Sequence, residues 1–185
     1  MRVTLIAAQS LDGFITRHDE PGAGFASEAD QRHFRRSLGL FDCSVMGATT
    51  YRAARDIIRA ARTGSRRRIV VTRSPEQFTA DAEPGMLEFT SEAPRALLRR
   101  LGGLGHRACA LLGGAQIHRW YLEEQCVNDL WLTLEPRLFG SGTPLVGGLL
   151  DVALQLDSVE RLEGSDSLLA KYSIQPAGNT GHGPA

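Results

Sequence analysis

Three short segments have the residue types and spacing to hold an anion. VMGATTY (45–51) reads as a strand, a glycine and then hydroxyl residues at a helix start. Thr49 and Thr50 can donate to phosphate oxygens beside Gly47, and the NH groups of a helix N-terminus point the same way. LLGGAQI (111–117) is strand, Gly113-Gly114, then helix; two residues without Cβ let a ligand approach the backbone closely. VVTRS (70–74) puts Thr72 and Arg73 just past a strand, where a guanidinium can fork onto a phosphate. Each alone says little, because glycine often ends a strand and a capping threonine needs no ligand. Three such strand ends in one sheet point to a nucleotide. Neither GxGxxG nor a P-loop occurs, so the commonest nucleotide fingerprints are excluded.

Other chemistries find less support. The histidines His18, His33, His106, His118 and His182 have no close pairing, so no metal site is expected. Cys43, Cys109 and Cys126 form no CxxC, and apolar surroundings make buried thiols the expectation for all three. No GxSxG elbow marks a hydrolase.

The chain that must position these segments has 185 residues, 42% hydrophobic and 23% charged, enough to bury the core of one domain. Val3 to Ala8 is apolar and nearly continuous, as a strand covered on both faces would be. SLDG supplies a turn and 16–25 a polar loop. Ser27 caps a helix with Asp30 three residues on. Further strands are expected at 43–46, 67–72, 86–89 and 108–112, with helices from the GATT segment to about Ala61, at 94–101 and at 116–124. From 129 to 139, Leu130, Leu132 and Leu134 alternate with Trp131, Thr133 and Glu135, the pattern of a half-buried strand. Strands 154–162 and 168–174 flank Gly164-Ser165-Asp166 as a hairpin. The fold class is α/β: a three-layer α/β/α domain over 1–176, with a mostly parallel central sheet and a C-terminal antiparallel hairpin. The tail 177–185 has no apolar pattern and is expected to be disordered. In such a sheet, ligands bind beyond the carboxyl ends of the strands.

Net charge is zero, with 20 arginines and one lysine, Lys171. Eleven arginines and only two acids lie between Arg32 and Arg73. That local field suits a phosphorylated small molecule or a nucleic acid, although solvated helix faces account for most of it. Aromatics are sparse there, which argues against stacking on bases and hence against a nucleic-acid partner. No apolar run approaches the ~20 residues of a membrane span. MRVTLIAAQSLDG reads as a strand and not a signal peptide, so a cytoplasmic protein is expected.

Six segments in order give the chain a resemblance. LIAAQSLDGFI, ADQRHFRR, VMGATTY, VVTRS, LLGGAQIHRWYL and LWLTLEPRLFGSGTPL resemble those of the dihydrofolate reductase-like fold, over roughly residues 3 to 175. The chain looks most like single-domain relatives of the reductase half of the riboflavin-biosynthesis deaminase-reductase, and SLDG points to that branch. PCxxC is missing, so no zinc deaminase half is expected. The resemblance implies an NADPH-dependent oxidoreductase, similar to 5-amino-6-(5-phosphoribosylamino)uracil reductase or dihydrofolate reductase, acting on a small heterocyclic or ribosyl substrate. The alternative is a nucleotide-binding protein of the same fold without turnover. By this resemblance Ala8 and Ile15 would contact the nicotinamide, and Gly47, Thr49 and Thr50 the pyrophosphate. Thr72 and Arg73 would face the 2′-phosphate, and Gly113, Gly114, Ala115, Gln116 and Ile117 would form the cis Gly-Gly turn and following helix. Asp30 would be the catalytic acid and Thr133 its supporting hydroxyl. Two positions depart from the pattern. Leu112 stands where riboflavin-type reductases commonly carry Glu, and Gln31 where the folate enzymes usually have an apolar residue.

The last expectation is a homodimer built through the late strands. Leu149, Leu150, Val152, Leu154 and Leu156 form an apolar stretch beside a sheet edge that a second copy would bury. The riboflavin-type resemblance implies the same.

Overall fold

The computed structural model of the chain describes residues 1–60 and 66–175. The strands are β1 (Arg2–Ser10), β2 (Cys43–Gly47), β3 (Arg67–Val71), β4 (Leu87–Thr90), β5 (Ala108–Leu111), β6 (Asp129–Glu135), β7 (Leu154–Arg161) and β8 (Leu168–Ile174). They form one sheet in the order β4-β3-β2-β5-β1-β6-β8-β7. Pairing is parallel from β4 to β6, where crossovers through helices separate the strands. β8 then joins β6 antiparallel, and β7 joins β8 as a hairpin at the far edge.

Side-chain alternation along each strand sorts residues onto two covered faces. On one, Val3, Leu5, Val45, Ile69 and Leu111 pack with Leu97 and Leu101 of α3 (Pro94–Gly103) and Ile117 and Tyr121 of α4 (Ala115–Glu123). On the other, Met46 and Val70 pack with Tyr51 of α2 (Ala48–Ala60), while Ile6 and Ala110 pack near Phe34 of α1 (Glu28–Ser37). Helices on both faces make the three-layer α/β/α arrangement expected from the alternation of elements. Strand ends differ from expectation by a residue or two, as frayed boundaries do. The expected helix end at Ala61 and the tail 177–185 lie outside the described residues. Among the described residues no helix is long and apolar enough to cross a membrane.

Two expectations are corrected. β6 is not half-buried, because residues of both its faces are buried or nearly so, packed under helices on either side of the sheet. Leu130 and Leu132 face the α3 and α4 side, while Thr133 and Glu135, 2% and 1% exposed, lie under α1. Cys43 and Cys109 are fully buried, but Cys126 is only partly so.

Part of the arginine field is also locally spent. Arg55 makes two hydrogen bonds to Asp81, at 2.9 and 2.7 Å, and Arg67 meets Glu88 at 2.6 Å. These acids lie just beyond the arginine-rich window, so counting within the window overstated the field.

Candidate active site

The carboxyl ends of β1, β2, β3, β5 and β6 define one side of the molecule, and register places the expected residues along it. Leu5 of β1 sits opposite Leu111 of β5, and Ala8 sits opposite Thr133 of β6. Three residues past Leu5, at the level of the Gly113-Gly114 turn, β1 therefore presents Ala8 with Thr133 on its other side. The turn, Ala8 and Thr133 thus lie side by side at the carboxyl edge of the sheet.

The Gly113-Gly114 peptide bond is cis. The carbonyl oxygen of Gly113 accepts from Gly47 N at 2.7 Å, locking the end of β2 against this turn. A Cβ on Gly47 would come 2.9 Å from Ile117 Cγ1, so close approach of α4 requires glycine there. α4 begins directly after the turn at Ala115, with no side chain capping it. α2 begins directly after Gly47, with Thr49 exposed and Thr50 half-buried in its first turn. Two helix N-termini, joined by the Gly47–Gly113 hydrogen bond, make a backbone-lined cradle suited to a phosphate. Gln116 is exposed at this end of α4, and Ala115 and Ile117 are buried. Thr72 and Arg73 follow β3 on the far side of β2. Arg73 is exposed, and the Thr72 hydroxyl accepts from Ser74 N at 3.3 Å.

Asp30 is in the first turn of α1, 8% exposed, where the Ser27 hydroxyl accepts from its NH at 3.2 Å. Burial pushes its carboxyl above the usual aspartate range; the neighbouring Thr133 hydroxyl opposes this and the charge of Glu135 adds to it. Asp30 and Thr133 are therefore brought together, and the carboxyl of Asp30 is held in a buried setting that favours its neutral form. Gln31 instead turns back, its amide donating to Ala26 O at 3.1 Å.

Ile15 lies in a flap formed by the segments after β1 and β6. Ile15 N donates to Thr143 O at 2.8 Å, and Leu145 N to Gly13 O at 3.2 Å. Asp12 holds this flap together. Its carboxylate accepts from Ser10 Oγ at 2.5 Å, Phe139 N at 3.0 Å and Gly140 N at 2.7 Å. The aspartate of SLDG is therefore a tether between two loops and not only a turn former. These donors pull its pKa below the usual range.

Sequence reasoning missed three further residues. Glu135 is buried under α1 and hydrogen-bonded to its cap. Ser167 donates to Glu135 Oε2 at 2.8 Å. His118, 1% exposed, lies beneath Gly113 with its Nε2 unpartnered. His118 follows Ile117 on a helix face that reads as apolar, and a buried polar residue there was the available signal. Nothing in the spacing of Ser167 and Glu135 links them.

The strand order, the Gly-Gly turn after β5 and the acid of α1 against Thr133 of β6 define an α/β protein of the dihydrofolate reductase-like fold. The chain belongs to the RibD C-terminal domain family, matched over residues 1–166. It is 25% identical over 151 residues to the uncharacterized protein YwjB of Bacillus subtilis (strain 168), covering 78% of this chain and 82% of that one. Two solved structures share the fold. The Thermotoga maritima diaminohydroxyphosphoribosylaminopyrimidine deaminase/5-amino-6-(5-phosphoribosylamino)uracil reductase superposes with a TM-score of 0.75 at 16% identity, over 94% of this chain and 56% of that one. Enterococcus faecalis dihydrofolate reductase, solved with NADP(H), gives 0.63 at 16% identity, over 95% and 97%.

Proposed function

We propose that this protein is an NADPH-dependent reductase of a small heterocyclic substrate, of the pyrimidine or pterin type. The observation that carries this reading is the placement of a buried Asp30, its pKa raised by that burial, across Ala8 from the Gly113-Gly114 cradle. The cradle fits a dinucleotide, because glycines leave its backbone open and two helix starts converge on it. Gly47, Thr49, Thr50, Gly113, Gly114, Ala115, Gln116 and Ile117 would hold the pyrophosphate and its ribose. Thr72 and Arg73 would take the 2′-phosphate, and Ala8 and Ile15 would line the nicotinamide end. The bound nicotinamide supplies the hydride. Asp30 supplies the proton: its neutral carboxyl gives one proton to a ring nitrogen of the substrate and becomes the carboxylate, so reduction of a C=N bond balances. Thr133 holds the carboxyl in place, and the flap over Ile15 excludes water.

The working form is proposed to be a cytoplasmic homodimer. All eight residues of the edge strand β7 are exposed in the single chain, including Leu154, Leu156 and Val159, and Leu149 beside it is 96% exposed. Packing beneath the chain's own helices does not account for these side chains, and a second copy would cover them.

Fluorescence titration with NADPH and NADH, followed by loss of NADPH absorbance with pyrimidine, pterin and dihydrofolate substrates, tests the reading. Asp30→Asn should leave NADPH affinity unchanged and lower turnover about 10²–10⁴-fold, the usual contribution of a general acid. Tight binding without oxidation by any of these would instead support a nucleotide-binding protein without turnover. Failure to bind NADPH would reject both.

A further inference from the structure

The mechanism above makes no use of Glu135, yet few side chains in the protein are more deeply buried. A buried carboxylate persists only where donors replace the water it has lost. Glu135 has three. Oε1 accepts from Ser27 N at 3.0 Å and from Ser27 Oγ at 3.0 Å, and Oε2 accepts from Ser167 Oγ at 2.8 Å. Ser27 is the residue that caps α1, so the positive end of that helix also faces the anion. The same Ser27 oxygen accepts from Asp30 N. An unbroken series of hydrogen bonds therefore runs from Glu135 on β6, through Ser27, to the backbone of Asp30.

We propose that Glu135 is a positioning residue for Asp30: through Ser27 and Ser167 it fixes the turn that presents this carboxyl, and it stands behind it as a second negative charge. The proposal rests on the reading of Asp30 as the proton donor. A serine hydroxyl has one proton. Given to Glu135, that proton leaves the Ser27 lone pairs free to cap Asp30 N. Without Glu135 the Ser27 hydroxyl is free to turn toward Ser167 Oγ, 3.1 Å away, and the cap loosens.

The charge acts in the same direction as the geometry. From β6, Asp30 is faced by Glu135 and by the uncharged Thr133. On its own helix the neighbouring charges are Glu28 and Arg32, which are exposed and paired with one another at 3.6 Å. A fixed anion on the sheet side makes ionisation of Asp30 unfavourable, so the acid retains its proton to higher pH.

Carbon-detected NMR titration of the Asp30 carboxyl, with hydrogen exchange at the Asp30 amide, tests this in the intact protein and its Glu135→Gln and Glu135→Asp variants. In Glu135→Gln the charge is gone and Asp30 should titrate at lower pH than in the unmodified protein. In Glu135→Asp the charge remains but no longer reaches Ser27. There the titration should stay raised while the amide exchanges about five- to tenfold faster, the factor one net hydrogen bond is worth. An unmoved titration in folded Glu135→Gln overturns the proposal. If that variant does not fold, unchanged amide exchange in Glu135→Asp overturns it instead. Both readouts report Asp30 itself and not turnover, so they stand or fall separately from the loss of activity expected of Asp30→Asn.

Discussion

The Nδ1–H of His118 donates to the carbonyl oxygen of Leu145 at 2.9 Å, joining the helix after the Gly-Gly turn to the flap formed by the loops after β1 and β6. A carbonyl can only accept, so Nδ1 carries the proton and Nε2 is a bare lone pair against Gly113. Burial holds this imidazole down to about 4.

That depression fixes the sign of a pH effect on stability. Between the ordinary histidine value of 6.5 and about 4, the unfolded chain binds a proton that the folded chain does not. The contribution of His118 is therefore complete above the upper value and is lost as pH falls through the window, by about 3 kcal/mol in all. His118→Asn keeps a donor for Leu145 but does not titrate. Urea melts at about pH 7.5 and about pH 5 should show a smaller loss in the variant than in the unmodified protein. Equal losses would assign the pH dependence to other groups.

The two turn glycines should fail in different ways. Gly113 has φ +85°, and a Cβ there would strike the His118 ring. Gly113→Ala should lower stability by at least about 2 kcal/mol, measured by thermal or urea unfolding. At Gly114 a Cβ would meet only Thr50 Oγ1, at an ordinary 3.5 Å. Gly114→Ala should therefore fold and lose NADPH affinity, because the added methyl stands at the cradle between α2 and α4. Normal affinity in the folded variant would place the cofactor elsewhere.

Arg73 should set the choice between cofactors. It is exposed just past β3, beside Thr72. A charge-assisted hydrogen bond is worth about 1.5–3 kcal/mol, so Arg73→Ala should weaken NADPH roughly ten- to a hundredfold. NADH lacks the 2′-phosphate and should be little affected. Equal weakening of both in parallel fluorescence titrations would reject this role.

The exposed edge predicts an assembly. Light scattering at micromolar concentration should give twice the 20.1 kDa chain mass. A double substitution, Leu156→Lys with Val159→Lys, should return it to the monomer value, since both side chains are more than half exposed on β7. A monomer in the unmodified protein would leave the edge to some other partner.

Much of this was written in local sequence. Glycine followed by hydroxyl residues after VM, the Gly-Gly pair after LL and the serine three residues before Asp30 are short-range signals. Their physical causes, backbone freedom and helix capping, act over a few residues. The parallel sheet and terminal hairpin likewise followed from the order of apolar runs, because a strand–helix alternation leaves few ways to bury both sheet faces. Tertiary structure alone decided what the alternation along β6 meant. Its leucines and its polar residues face two buried environments, not core and solvent, because helices pack over both faces of the sheet at this strand. That is why Glu135 read as a solvent-facing residue and is instead buried, held by Ser27 108 positions away and Ser167 32 positions away. The same holds for Asp12, tied to Gly140, and for His118, tied to Leu145. A hydrogen bond between residues distant in the chain leaves no periodicity or local propensity behind, so only the folded arrangement of strands and loops reveals it.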